Sequence, residues 1–158
     1  MDIAFGEMSI KIITKNKKAY FNYEILDTYE AGIVLTGAEV KSIKNSQVNI
    51  SDSFVRLEDG ELWLWNTDIP KYTHASFPNY DPIRKRKLLL KRKEIDRIAS
   101  KTKTRGITIV PTKVYLQKGK VKIEIGIARG KKVYEKKEKI KERDLERELH
   151  KEKRKFMV

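Results

Sequence analysis

The sequence predicts a mainly β protein, a small antiparallel barrel with short flanking helices and a basic C-terminal tail. Three observations carry this. Asp59-Gly60 and Gln117-Lys118-Gly119 each separate two runs of alternating apolar residues, the pattern of β-hairpins. Helical periodicity is confined to short stretches between them. Beyond Gly130 the chain turns almost wholly charged, with Ile140, Leu145 and Leu149 too sparse to bury a core.

Taken in order, β-branched and aromatic residues from Tyr20 to Tyr29 predict a strand, and Gly37 to Lys44 a short helix after the Thr36-Gly37 break. Ser53 to Glu58 and Glu61 to Asn66 form the first hairpin. Leu62 and Leu64 alternate there with Trp63 and Trp65, one of which is expected in the core. His74 to Pro82, punctuated by prolines, reads as an extended loop. Lys91 to Lys103 is expected to be helical because Ile95, Ile98 and Ala99 recur at three-to-four spacing. Ile107 to Leu116 and Val121 to Ala128 make the second hairpin. Strands joined by hairpins, with helices between, favour the OB type of barrel, a common nucleic-acid platform. The chain divides into an N-terminal arm at 1–14, the barrel at 15–130 and the tail at 131–158. The Glu, Lys and Arg content of the tail suits a segment disordered when free and helical against a partner.

The formal charge of +14 is unevenly placed. Arg84 to Arg105 carries eleven Lys/Arg against two acids, and Arg129 to Val158 thirteen against seven, so the remainder is close to neutral. Segmental basicity argues for oriented binding surfaces rather than general solubility. Neither basic segment has the continuous apolar stripe of a membrane-surface helix, and no run of about 18 apolar residues could span a bilayer, so nucleic acid is the expected partner and the cytoplasm the expected compartment.

Chemistry is scarce. There is no cysteine and only two histidines, His74 and His150, so no metal or cofactor site and no enzymatic activity is expected. Glu30 and Glu39 lie near Gly32 and Gly37 in apolar surroundings, and three readings stay open for them: ion pairing with lysines, hydrogen-bond acceptance toward RNA, and acid/base or metal chemistry. Trp63, Trp65, Tyr72 and Tyr80 are candidates for stacking on bases.

The residues also resemble a known family. Asn16-Lys17-Lys18-Ala19, Glu30-Ala31-Gly32-Ile33, Gly37-Ala38-Glu39-Val40-Lys41-Ser42, Ile50-Ser51-Asp52-Ser53, Arg86-Lys87-Leu88-Leu89-Leu90, Val121-Lys122-Ile123 and Gly130-Lys131-Lys132 occur in the order and spacing of the SmpB family, over roughly residues 15 to 144. The resemblance implies an OB-like barrel that binds the tRNA-like domain of tmRNA (SsrA RNA) and accompanies it into stalled ribosomes for trans-translation. It implies tmRNA binding at Asn16, Lys17, Lys18, Glu30, Ala31, Gly32, Glu39, Lys41, Arg86, Lys87, Leu89 and Lys122. Gly130, Lys131, Lys132, Tyr134, Glu135, Lys136 and Lys137 would reach the decoding centre, with the tail helical in the empty mRNA channel and the protein a monomer on its RNA. Leu88 and Leu90 read as core, and only the resemblance singles out Leu89. The chain departs from the family pattern where Glu135-Lys136-Lys137 replaces Asp-Lys-Arg, which loses a guanidinium fork. Arg129 stands where lysine is usual, and Tyr134 where histidine is frequent.

Overall fold

A computed structural model describes residues 10–72 and 79–131. Seven strands run β1 (Ile10–Lys15), β2 (Tyr23–Ile33), β3 (Phe54–Glu58), β4 (Glu61–Trp65), β5 (Arg86–Leu89), β6 (Ile107–Gln117) and β7 (Lys120–Gly130). Between them lie α1 (Lys17–Asn22), α2 (Gly37–Lys44) and α3 (Arg92–Thr102). All pairings are antiparallel. The order β6-β3-β4-β5-β2-β7 closes through β6–β7 into an uneven ring, and β1 lies outside it on β6. The ladders β6–β7 and β2–β7 are long, whereas β3 meets β6 at the single pair Val55↔Ile109. The expected antiparallel barrel with short helices is therefore present.

Both hairpins form as their turn residues dictate. Asp59 and Gly60 take φ of 50° and 77°, and Lys118 and Gly119 take 51° and 77°, the positive values that let a two-residue turn follow the strand twist. The alternating side chains then fill one interior: Leu62, Leu64, Leu88, Ile98 and Ile125 are wholly buried in a cluster that also takes Ile43, Ile50 and Ile69. α3 contributes Ile95 and Ile98 from one face, as its spacing predicts.

Three expectations change. The strand expected from Tyr20 starts at Tyr23, because Asn16 accepts the Ala19 N–H and nucleates α1 across residues of strand composition. Ile10–Lys15, mostly assigned to an arm, pair with β6. Both tryptophans lie opposite the buried Leu62 and Leu64, on the outer face of β4, so neither belongs to the core.

Pro111 explains a local feature of β6. Lacking an N–H, proline is tolerated in sheets at edges and bulges, and the β6–β7 register shifts between Pro111 and Lys113. Asn16 holds that irregularity: its Nδ2 donates to the carbonyls of Pro111 at 2.9 Å and Ile50 at 3.1 Å, and its N–H to Thr112 O at 2.7 Å.

A candidate nucleic-acid interface

The first group of expected site residues meets at one end of β7. Gly32 is hydrogen-bonded in register with Leu89 on β5 and Lys122 on β7, and Glu30 lies opposite Glu124. A Cβ at position 32 would lie 3.3 Å from the Leu89 Cβ, so glycine lets the two strands close while Leu89 remains 52% exposed beside them. Leu88 is buried and Leu90 packs partly buried against the core, as expected of these two.

Glu30 accepts a short hydrogen bond from the Tyr115 hydroxyl rather than pairing with a lysine. Burial, then the bond to Glu30 and the charges of Glu30 and Glu124, push the Tyr115 hydroxyl well above its ordinary value, so it stays a donor. Tyr115 pairs with Lys122 across β6–β7. Sequence reasoning missed it, although its place in an alternating strand was the available signal.

Glu39 has a different part. It is buried, and its carboxylate takes Arg84 at 2.5 Å, Arg86 Nε at 2.7 Å, the Thr36 N–H at 2.9 Å and the Tyr80 hydroxyl at 3.2 Å. Arg86, equally buried, donates onward to the carbonyls of Thr67, Arg84 and Pro82. Burial alone would raise the Glu39 pKa, but the hydrogen bonds from Arg84, Thr36 and Arg86 outweigh it and hold it below the ordinary value. The ion pairing expected of Glu39 is thus made with arginines, and Tyr80, a candidate for base stacking, clasps Glu39 and the Ile69 carbonyl instead.

Asn16, Ala31, Glu39 and Arg86 were expected at an RNA interface, yet their side chains face the interior. That corrects them as direct contacts. Asn16 instead caps α1 and binds the Ile50 and Pro111 carbonyls, and Glu39 and Arg86 hold each other inside the barrel. Lys41 on α2 is exposed, 5.6 Å from the Tyr72 ring centre, and Lys87 pairs with Trp63 across β4–β5.

The basic segment is also redistributed. Arg84, Lys85, Arg86, Arg92 and Lys101 form ion pairs with Glu39, Glu58, Glu39, Glu61 and Asp27 respectively. Lys91, Lys93, Arg97, Lys103 and Arg105 are exposed on α3 and its flanks with no ion pair among the described residues, and they form the cationic ridge. On the outer face of β3–β4, Phe54 and Trp65 lie parallel with ring centres 6.3 Å apart. Arg56 sits 4.9 Å above Phe54, and Lys85 sits 4.7 Å from Trp63 and 5.4 Å from Trp65. Cations over aromatic rings suit stacked bases and phosphates.

Lys17 and Lys18, expected among the tmRNA-binding residues, lie apart from Glu30, Gly32, Leu89 and Lys122, with Gly130 and Lys131 at the opposite end of β7. Lys17 and Lys18 project from α1, and Lys18 reaches Asp52 at 2.6 Å. Lys131, the last described residue, donates its N–H to Asn22 O and its Nζ to Tyr20 O, both at 2.9 Å, so the root of the tail is fastened to α1. Gly130 pairs with Tyr23 beside it. Eight residue-to-residue steps along β7 lead from Lys122 to Gly130, about 26 Å at roughly 3.3 Å per step. Lys132, Tyr134, Glu135, Lys136 and Lys137 lie outside the described residues, as do both histidines and the rest of the tail. Among the described residues no three His, Cys, Asp or Glu side chains gather as metal ligands, and no helix is long and apolar enough to cross a membrane.

Comparison with known proteins agrees with this geometry. A family model described as "SmpB protein" matches residues 13–155. The SsrA-binding protein of Persephonella marina is 57% identical over 144 residues, covering 91% of this chain and 95% of that protein. That of Sulfurihydrogenibium sp. is 54% identical over 144 residues, with the same coverage of 91% and 95%. A solved chain from "tmRNA-SmpB: a journey to the center of the bacterial ribosome" superposes with a TM-score of 0.64 at 49% identity, covering 76% of this chain and 85% of its own. With a family match over most of its length and relatives above one-half identity, the chain belongs to the SmpB family of SsrA-binding proteins.

Proposed function

We propose that the chain binds the tRNA-like domain of tmRNA with the Glu30–Gly32–Leu89–Lys122 end of its barrel and carries it to stalled ribosomes. The α1 end then faces the small subunit. The tail, from Gly130 and Lys131 through Lys132, Tyr134, Glu135, Lys136 and Lys137, occupies the decoding centre and continues as a helix in the empty mRNA channel. The protein contributes binding and positioning without catalysis, works as a cytoplasmic monomer on its RNA, and needs no cofactor.

The observation that carries this reading is the separation of the Glu30–Gly32–Leu89–Lys122 cluster from the tail root, which is tied to α1 at the opposite end of β7. A molecule that touched one RNA through one patch has no need of two such separate surfaces, whereas a bridge does. The relatives' name, SsrA-binding protein, and the ribosomal setting of the solved chain support the choice of partners.

The test removes residues 132–158, leaving the Lys131 anchor in place. Gel-shift affinity for a tRNA-like fragment should stay nearly unchanged while tagging of stalled chains is abolished. Equal loss of both activities overturns the division of labour. Equal competition by unrelated single-stranded RNA of the same length overturns the specificity for a tRNA-like fold.

A further inference from the structure

A cleft of about 230 Å³ opens between α1 and the residue 51–54 segment, at the end of the barrel from which the tail departs. It lies beyond the reach of the Glu30–Lys122 face, and the proposed bridge makes no use of it. Phe54 and Tyr23 supply aromatic walls, and Phe54 is held in place by its parallel partner Trp65. Asn22 and Ser51 also line it, and neither the Asn22 amide nor the Ser51 hydroxyl has a hydrogen-bond partner among the described residues. Lys18 and Asp52 stand at the rim as an ion pair at 2.6 Å, with both side chains more than half exposed.

These parts match the chemistry of one unpaired nucleotide. Aromatic walls take the flat face of a base. An amide, which offers donor and acceptor together, reads its edge, as single-stranded RNA bases are read in general. The volume is below the 300 Å³ or so at which pockets for larger organic ligands begin, and so suits a single planar ring system. The rim pair is loosely held, because exposed ion pairs contribute little, so Lys18 can leave Asp52 for a phosphate. Asp52, set against that phosphate, would turn outward. An acidic peptide would find a lysine but no use for two aromatic walls, and a lipid headgroup would find no apolar path beside it.

From this we infer that the cleft bounded by Asn22, Tyr23, Ser51 and Phe54 seats one extruded RNA base, with Lys18 on its phosphate. The inference rests on the RNA-binding reading above and adds a contact on the side where the tail leaves the barrel. That base belongs to the RNA met by the tail end rather than to the RNA held at Leu89 and Lys122.

The full chain, ¹⁵N-labelled, is titrated with each of the four ribonucleoside 5′-monophosphates, with ribose 5-phosphate and inorganic phosphate as controls. Saturable shifts of the Asn22 side-chain amide and of the Ser51 and Phe54 amides are expected with at least one nucleotide and with neither control. Asn22→Ala with Ser51→Ala should weaken that nucleotide roughly tenfold, the loss of about one good base-edge contact, with the thermal transition unchanged. Equal shifts from ribose 5-phosphate would make the site an anion site only and overturn the inference. So would shifts confined to Trp63 and Trp65 or to α3. A gel shift of the unmodified chain with the tRNA-like fragment separates the two readings. If the fragment binds and the cleft stays silent, the base seat alone fails; if the fragment does not bind, the proposed function fails first.

Discussion

Replacing Glu39 by glutamine tests whether the buried carboxylate is a framework group or an RNA contact. The glutamine keeps the shape and leaves Thr36 to accept the Glu39 backbone N–H, but it has a single acceptor oxygen: turned to Arg86 it sets its NH2 against the Thr36 N–H and Arg84, and turned to them it sets its NH2 against Arg86. What it removes is the charge that compensates Arg86 and Arg84. Breaking a buried ion pair from one side costs about 3–5 kcal/mol. One set of acceptor contacts is lost together with the charge, which places this change near the middle of that range, about 4 kcal/mol, and for a domain of this size lowers Tm by roughly 8–16 °C. Circular dichroism melting and urea titration at pH 7 measure it. Glu39→Gln and Arg86→Met should be non-additive, because the double variant no longer buries an uncompensated charge. Acid adds a second reading. The Glu39 pKa is depressed on folding, so its contribution is present above the unfolded value of about 4.5 and is lost as pH falls further. The variant should lack that part of the acid limb. A melting point within about 2 °C of the parent, together with lost affinity for the tRNA-like fragment, refutes the framework assignment.

Three other outcomes follow from the same geometry. Asn16→Ala removes a helix cap and the partner of the Ile50 and Pro111 carbonyls, and should cost about 3 kcal/mol in urea denaturation; unchanged stability with weakened RNA binding would make Asn16 a contact after all. Lys122→Ala should weaken the tRNA-like fragment and reduce the slope of log affinity against log salt by about 1; an unchanged slope means no phosphate sits there. Tyr115 has a raised pKa, so its contribution is complete below about pH 10 and lost as pH climbs beyond that. Stability measured between about pH 9 and 11 should fall in the parent and fall less in Tyr115→Phe. Tyr115 ionising at the ordinary value by ultraviolet titration would refute the Glu30 bond.

Much of this molecule is legible in local chemistry. Asp59-Gly60 and Lys118-Gly119 specify turns because positive φ is a property of the residues themselves. Leu62 and Leu64 are buried, and Ile95 and Ile98 turn inward, because the periods of 2 and 3.6 are properties of the backbone. The basic segment and tail are countable, and the family motifs are readable in order. α1 was missed because Asn16 decides it: strand composition at Tyr20 and Phe21 gives way to a cap whose strength depends on carbonyls 34 and 95 residues away. The tryptophans were misplaced because alternation says that two sets face opposite ways and not which face is covered.

By itself, then, the sequence determined the antiparallel barrel type, the segments that carry charge and the family, since each depends on residues near one another in the chain. Tertiary structure decided which charges remain available. Glu39 and Arg86 are 47 residues apart, and their burial together turns two apparent RNA ligands into framework. Glu30 and Tyr115, 85 residues apart, become one hydrogen-bonded unit. Gly32 joins Leu89 to Lys122 at one end of β7, and Lys131 fastens the tail to α1 at the other. Charge, burial and distance between such residues are set by strand register across the closed ring, which no local pattern contains.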